Sequence, residues 1–254
     1  MSIRIKTQQQ IDGIRKSCQL AAETLKYLDA FVIAGNTTDY INQVAHEYIL
    51  ANGATPAPLN YHKFPKSICT SVNDVVCHGV PGIYELKNGD ILNVDVTTIL
   101  NGYYGDTCKM YNIGEISAEA SDLIEITKEC LKIGVEQCYP GNRFGNIGYE
   151  INRFATSKGY SVVYEFCGHG VGIAFHEDPE VSHIAEKNSG KRMREGMIFT
   201  IEPMINQGKA RTKIDKNDGW TARTIDGKLS AQFEHTVLIT PKGHELLTNV
   251  YHEF

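Results

Sequence analysis

The sequence lacks a long apolar run, an excess of positive charge and closely spaced cysteine pairs. No apolar stretch approaches the roughly 18 residues of a membrane span, and residues 1–10 lack the apolar core of a signal peptide. The net charge of −5 gives no electrostatic footprint for nucleic acid. We therefore expect neither a membrane nor a nucleic acid among the partners of this protein.

The seven cysteines are odd in number, widely spread and without a Cys-x-x-Cys pair. This distribution argues against a disulfide scaffold and against a zinc ribbon. It is typical of reduced thiols, and it predicts a cytoplasmic location.

Signals for a pair of helices followed by strands occur twice along the 254 residues. The predicted caps are Thr7, with Gln10 in a capping box, then Thr37 or Thr38, then Ser117, and a further helix is predicted over Phe144–Lys158. The halves, about 1–115 and 116–254, therefore share an architecture without obvious sequence identity. The length fits a single domain over 1–254.

The stretch 93–107 predicts a β-hairpin whose two aspartates share one face. Asn101-Gly102 is the strongest two-residue hairpin signal, because a type I′ turn needs positive φ at both central positions. This turn places Asp95 opposite Cys108 and Asp106 opposite Thr97. Since side chains alternate between faces, the aspartates are diagonal neighbours, roughly 7–8 Å apart. From the hairpin alone, a cation site and a solvated pair of surface carboxylates are both open.

Three more residues with metal-binding side chains follow in strand or loop contexts. His169 lies in a glycine-rich loop after a strand predicted over Ser161–Phe166. Glu202 ends a strand predicted over Met197–Glu202, and Glu234 lies in a final long strand predicted over Ser230–Thr240, whereas residues 208–228 are expected to form polar turns. Carboxylates amid apolar strand residues are rare unless they are paired or bind a metal.

The five residues together predict a metal centre of hydrolase type. Four carboxylates and a neutral imidazole carry a charge of about −4, which two divalent cations would neutralise, so two metals are favoured over one. Carboxylates with one imidazole suit Mn²⁺, Fe²⁺, Co²⁺ or Zn²⁺. Two such cations about 3.5–4 Å apart can hold a hydroxide and polarise a carbonyl.

Six groups of motifs are spread over nearly the whole chain. They are Tyr61-His62 with Pro65-Lys66-Ser67, Asn73-Asp-Val-Val-Cys-His78-Gly-Val-Pro81, Val94-Asp95-Val96-Thr97 with Gly105-Asp106-Thr107, Cys167-Gly-His169-Gly-Val-Gly172 with Phe175-His176-Glu177, Thr200-Ile-Glu202-Pro203, and Gln232-Phe-Glu234-His235-Thr236. In this combination the chain resembles the type I methionine aminopeptidases.

The resemblance implies an α/β (α+β) pita-bread fold, in which a curved antiparallel sheet with pseudo-twofold symmetry is flanked by helices. It implies two divalent metal ions, Co²⁺, Mn²⁺, Fe²⁺ or Zn²⁺. The implied ligands are Asp95, Asp106, His169, Glu202 and Glu234, with Asp106 and Glu234 bridging the metals.

The resemblance also implies removal of the initiator methionine from nascent proteins and peptides whose second residue is small. A bridging hydroxide would attack the scissile carbonyl, Glu202 would take its proton, His176 would stabilise the oxyanion, and His78 would contact the substrate amide. The methionine side chain would enter a pocket of Tyr61, Phe64, Cys69, Phe175 and Trp220. A monomer with a transient ribosome contact is expected.

The chain departs from the common pattern at Pro58, Gly82 and Ile173-Ala174, so the shape of the pocket is not predicted by the resemblance. Two other functions are open on the same fold. One is an X-Pro dipeptidase or aminopeptidase, although such relatives usually carry an extra N-terminal domain. The other is a non-catalytic binding protein, although such relatives typically lose metal ligands and this chain retains all five.

Overall fold

The computed structural model describes residues 3–249, so the two ends of the predicted domain lie outside it. Helices flank antiparallel strands. The helices are α1 (Gln8–Leu28), α2 (Thr38–Ala51), α3 (Ala118–Glu136) and α4 (Phe144–Ser157), with a short 3₁₀ helix at Tyr61–Lys63. The strands are β1 (Thr55–Pro56), β2 (Cys69–Val72), β3 (Val75–Cys77), β4 (Ile91–Leu100), β5 (Tyr103–Asn112), β6 (Ser161–Val162), β7 (Gly168–Gly170), β8 (Glu177–Val181), β9 (Ile198–Ile201), β10 (Met204–Asn206), β11 (Thr212–Ile214), β12 (Ala222–Thr224), β13 (Ser230–Gln232), β14 (His235–Thr240) and β15 (Gly243–Leu246).

The strands form four hydrogen-bonded ladders. Strand β4 pairs with β1, β2 and β5, and a second ladder runs in the order β15-β14-β9-β7-β8. Smaller ladders run β13-β10-β6 and β11-β12-β3. A bridge between Cys108 and Glu234 connects β5 to the segment that joins β13 and β14. The predicted curved antiparallel sheet is confirmed, but it is divided into these ladders rather than continuous.

The helices begin where the sequence predicts. Thr7 and Gln10 form the capping box of α1, and the hydroxyls of Thr37 and Ser117 cap α2 and α3. The apolar faces of α1 and α2 bury residues against the β4–β5 hairpin in one core cluster, and α3 and α4 do so against β9 and β14 in another. Among residues 3–249, no helix is both long and apolar enough to span a membrane.

The β4–β5 hairpin has the predicted register. Leu100 pairs with Tyr103 across the Asn101-Gly102 turn, and both turn residues have positive φ. Asp95 therefore lies opposite Cys108 and Asp106 opposite Thr97. The two aspartates share one face of the hairpin, as the alternation of side chains requires.

The prediction of one long strand over Ser230–Thr240 is wrong, because the ladder is interrupted at the carboxylates. Met204 pairs with Gln232 and Ile201 pairs with His235. The same register on both sides would place Glu202 directly opposite Glu234, and like charges opposite one another destabilise a strand pair. Instead Glu234 bridges to Cys108, and pairing resumes beyond it.

One other strand prediction and one prediction of turns are also corrected. The strand predicted over Ser161–Phe166 ends at Val162 because its partner β10 begins only after Pro203, which has no amide hydrogen to donate. The stretch 208–228, expected to form polar turns, contains the paired strands β11 and β12, and β12 also pairs with β3. These strands are only three residues long, too short to show a clear alternation.

Candidate metal centre

Asp106 is buried and Asp95 is half-buried with its Oδ1 atom shielded from solvent, so their interpretation as a solvated surface pair is wrong. Asp106 is 3% exposed and accepts a hydrogen bond from the Thr97 hydroxyl at 2.7 Å. Burial raises the pKa of Asp106 to about 7, and burial together with Asp106 raises the pKa of Asp95 well above its ordinary value. Two desolvated carboxylates on one face are costly unless they are protonated or bind a cation.

His169 enters the site from β7, between β8 and β9. A side chain at Gly168 would meet the backbone oxygen of Thr200 at 2.5 Å, so a glycine permits this close approach. The imidazole Nδ1 lies 3.0 Å from the carbonyl oxygen of Gly170, which can only accept a hydrogen bond. The proton is therefore on Nδ1. Burial, with His176 nearby, lowers the pKa of His169 to about 3, so the ring is neutral and its Nε2 carries a lone pair.

The two glutamates lie where the paired strands are interrupted. Glu202 accepts a hydrogen bond from the Thr200 hydroxyl at 2.7 Å and another from the Gln232 amide at 3.2 Å. The backbone of Glu234 accepts a bond from the Thr107 hydroxyl at 2.7 Å. Burial raises the pKa of both glutamates well above the ordinary value, and the neighbouring carboxylates raise it further.

The arrangement of acceptors fits a cation. The lone pair on Nε2 of His169 lies 3.7 Å from oxygens of Asp106 and Glu202, so acceptors face one another. One ligand atom each from Asp106, His169 and Glu234 lies within 4.8 Å of the others. The Oδ1 atom of Asp95 is buried and has no hydrogen-bond partner in the described structure. Such a set of oxygen and imidazole donors matches the ligands that divalent transition metals prefer.

All five predicted ligands line one cavity of about 810 Å³. The other residues that the sequence assigns to catalysis or substrate binding line the same cavity: His78, His176, Tyr61, Phe64, Cys69, Phe175 and Trp220. The structure therefore brings every predicted site residue to one place, although they come from sequence positions as far apart as 61 and 234.

The cavity has an aromatic wall and an imidazole wall. The rings of Phe64 and Trp220 meet edge to face at 5.3 Å, and Tyr61 lies 4.8 Å from Phe175. The Tyr61 hydroxyl is 2.9 Å from Nδ1 of His176. Burial lowers the pKa of His78 to about 4 and also lowers that of His176, so both rings tend to be neutral.

Comparisons with known proteins agree with this geometry. A sequence profile of metallopeptidase family M24 matches residues 12–241. The methionine aminopeptidase of Rickettsia prowazekii is 46% identical over 248 residues, which are 98% of this chain and 96% of that protein. Its crystal structure has a TM-score of 0.96, covering 97% of this chain and 100% of that one. The chain belongs to metallopeptidase family M24, in the methionine aminopeptidase group.

Two further comparisons concern a second methionine aminopeptidase and a prolidase. Methionine aminopeptidase A of Synechocystis sp. is 47% identical over 248 residues, covering 97% of this chain and 98% of that protein. The prolidase of Pyrococcus horikoshii OT3 is 24% identical with a TM-score of 0.77, covering 98% of this chain and 64% of that one, which shows a shared fold alone. The pita-bread fold is thus confirmed, and as a member of the M24 family the protein is a metal-dependent peptidase.

The structure adds polar residues that the sequence analysis missed. Thr200 accepts the amide hydrogen of His169 at 2.9 Å while donating to Glu202, so one hydroxyl orients two predicted ligands. Nε2 of the buried His183 accepts the amide hydrogen of Glu202 at 3.2 Å. His62 and Phe166 also line the cavity, and Phe166 meets the His78 ring at 5.3 Å. The bonds of Thr200 to His169 and of His183 to Glu202 join distant segments, whereas the bond from Thr200 to Glu202 spans only two residues.

Pro58 and Gly82, two of the departures from the family pattern, have different consequences. Pro58 lines the cavity, so the proline contributes to the shape of the cavity. Gly82 does not line it. Its amide donates to the Thr38 hydroxyl at 2.9 Å and its carbonyl accepts the Asp39 amide at 2.9 Å, which anchors the start of α2.

In metal-free protein, Asp106→Asn should gain stability relative to wild type as the pH rises. The folded-state pKa of Asp106 is about 7 against an ordinary 3.8. The folded state therefore retains its proton where the unfolded state has lost it, and stability present below pH 4 is lost as the pH rises towards 7. Asparagine cannot ionise, so we expect its advantage to grow by up to about 4 kcal/mol over this range.

The measurement is urea unfolding of both proteins in chelator at several pH values. Added Mn²⁺ should reverse the order, because only the wild type retains the full ligand set. A stability difference that is independent of pH, or unchanged by Mn²⁺, would contradict this description of the site.

Proposed function

We propose that the protein removes the N-terminal methionine from peptides and nascent proteins whose second residue is small. The observation that carries the proposal is that five buried or half-buried metal-binding side chains and an aromatic, thiol-containing wall share one cavity. Thioether sulfur packs well against aromatic rings. The similarity to named methionine aminopeptidases over nearly the full length supports the same conclusion.

We propose that two divalent cations, each of them Mn²⁺, Co²⁺, Fe²⁺ or Zn²⁺, would be held by Asp95, Asp106, His169, Glu202 and Glu234. The charge of four carboxylates around a neutral imidazole supports two cations rather than one. When bound, such cations supply an activated water as nucleophile and polarise the scissile carbonyl.

The proton transfers would be carried out by the residues of the chain. Glu202 would accept the proton of the attacking water and pass it to the leaving amine, because among residues 3–249 its Oε2 has only the long bond from Gln232. A Tyr61 hydroxyl that donates to Nδ1 of His176 leaves the proton of that ring on Nε2, where it can stabilise the oxyanion. His78, facing the Trp220 ring at 6.2 Å, would contact the substrate amide.

Replacement of Trp220 by alanine should weaken methionine binding more than it slows catalysis. Trp220 completes the aromatic wall with Phe64, and loss of the ring removes apolar contact area from the bound side chain. We expect KM for Met-Ala-Ser to rise about tenfold with kcat changed less than threefold, measured by steady-state kinetics. Tyr139→Ala, which removes an exposed aromatic ring outside the cavity lining, is the control. An unchanged KM in Trp220→Ala would show that Trp220 does not contact the methionine side chain of the substrate.

We further propose that residues 1–254 form one catalytic domain whose halves, about 1–115 and 116–254, both contribute ligands. Asp95 and Asp106 come from the first half, and His169, Glu202 and Glu234 come from the second. We also propose a monomer in the cytoplasm that contacts the ribosome transiently. All seven cysteines are free thiols in the structure, which supports a reducing compartment.

Release of methionine from Met-Ala-Ser and Met-Lys-Ser, with an X-Pro dipeptide in parallel, tests the proposal. Enzyme supplied with Mn²⁺, Co²⁺ or Fe²⁺ should cleave Met-Ala-Ser at least about 100-fold faster than the other two substrates. Preferential cleavage of the X-Pro dipeptide would favour a dipeptidase. Absence of any cleavage with every metal would favour a binding protein.

A further inference from the structure

A buried lysine lies behind the turn that carries Phe175 and His176. The Lys6 side chain is only 1% exposed, and its Nζ lies 2.6 Å from Oε2 of Glu177. Its backbone amide donates to the carbonyl of Gly196 at 2.8 Å, which fixes the segment before α1. Lysine is almost never fully buried unless it is paired, so this contact is a specific feature of the fold.

The other oxygen of Glu177 closes the turn itself. Its Oε1 accepts the amide hydrogens of Ile173 at 2.7 Å and Ala174 at 3.0 Å. Burial raises the pKa of Glu177, but the bonds from Lys6 and the two amides outweigh burial, so its pKa lies below the ordinary value. One ionised carboxylate thus connects the N-terminal segment to the turn.

The turn positions two residues of the cavity. Phe175 and His176 contact each other with ring centroids 4.4 Å apart, and both contact Tyr61. Glu177 borders the cavity, whereas Lys6 is not among its lining residues. Lys6 therefore cannot touch a substrate in the cavity, but it is one contact away from the residue that follows His176.

We propose that Lys6 is a positioning residue that holds the His176 imidazole in place through Glu177. This role rests on the proposed aminopeptidase function. Without the ammonium group, the carboxylate loses its buried partner and turns towards solvent and Arg4, whose Nε lies 4.0 Å from Oε2 and whose side chain is 54% exposed. The amides of Ile173 and Ala174 then lose their acceptor. The turn loosens, and the His176 ring spends less time where it stabilises the oxyanion.

The kinetic test uses Lys6→Met, which retains the length of the side chain but not its charge. We expect kcat for Met-Ala-Ser to fall about tenfold with KM changed less than threefold, and Lys6→Arg to restore most of the loss. Lys109→Met is the matched control, because Lys109 pairs with Asp29 at 2.6 Å outside the cavity lining. It should retain wild-type kinetics.

A double-mutant cycle separates positioning from general destabilisation. If Lys6 acts through His176, Lys6→Met should change kcat less than twofold in a His176→Ala background. A tenfold loss in both backgrounds would overturn the proposal. Should Lys6→Met not fold, as judged by circular dichroism, Lys6→Gln is taken through the same cycle with the same two outcomes.

Hydrogen exchange followed by mass spectrometry tests the structural step without using activity. Peptides that span 172–177 should exchange faster in Lys6→Met than in wild type or Lys109→Met. Unchanged exchange there would overturn the proposal even in an active enzyme. Conversely, a wild type that releases no methionine would defeat the proposed function, while the exchange result would still decide whether Lys6 holds the turn.

Discussion

Glu234→Gln is expected to lower kcat/KM for Met-Ala-Ser by at least about 1,000-fold, or roughly 4 kcal/mol of transition-state stabilisation. Glu234 is 3% exposed, and its carboxylate is one of three groups whose ligand atoms lie within 4.8 Å of one another. Glutamine has the same size but no charge, so the cavity retains its shape while the negative charge that binds cations falls. We expect metal content, measured by mass spectrometry, to fall with activity.

Asp90→Asn is the matched control for this variant. Asp90 is also a buried carboxylate, but it accepts hydrogen bonds from Asn73, Tyr84 and Lys87 outside the cavity lining. This substitution should leave metal content and kcat/KM near wild type once the protein is folded. Activity of Glu234→Gln within tenfold of wild type would show that Glu234 is not a metal ligand.

His176→Ala is expected to lower kcat about 100- to 1,000-fold while metal content stays at the wild-type level. The ring borders the cavity 4.2 Å from the His169 ring and is held by the Tyr61 hydroxyl, yet it is not one of the proposed ligands. Loss of one preformed donor to an oxyanion has this magnitude in other hydrolases. Single-turnover kinetics would show whether the chemical step is the one that slows.

His46→Ala is a suitable comparison, because His46 has a hydrogen bond to Ser67 but does not line the cavity. It should retain wild-type kcat. A His176→Ala enzyme with kcat/KM within a fewfold of wild type would show that the imidazole is not needed for oxyanion stabilisation. Loss of bound metal in that variant would instead make His176 a ligand.

The register of the first pair of acids could be predicted from the sequence alone. The Asn101-Gly102 turn fixes the pairing of β4 with β5, and alternation of side chains then places Asp95 and Asp106 on one face. The burial of that face could not be predicted, because it depends on how the second half of the chain, with His169 and Glu234, packs against the hairpin. The structure was needed to choose between a cation site and a surface pair.

The sequence analysis identified Glu202 and Glu234 as candidate ligands but did not predict the backbone conformation around them. The strand register on the two sides of the interruption would place Glu202 opposite Glu234, but Glu234 bridges to Cys108 instead. The sequence analysis joined residues 230–240 into one strand and so missed this interruption. Strand propensity favours continuity here, and the repulsion that breaks the ladder arises only once both glutamates are buried together. The roles of His183 and Gln232 were missed for the same reason, since their bonds to Glu202 join separate strands or loops, as does the bond between the His169 amide and Thr200.

The central claim is that one set of five ligands in a single cavity makes methionine release depend on a metal. The most direct test is stepwise addition of Mn²⁺ to chelated, metal-free protein while methionine release from Met-Ala-Ser is followed. We predict no release without metal and full activity after about two equivalents, as the charge balance of the site requires. Release by protein that mass spectrometry shows to be free of metal would contradict the claim.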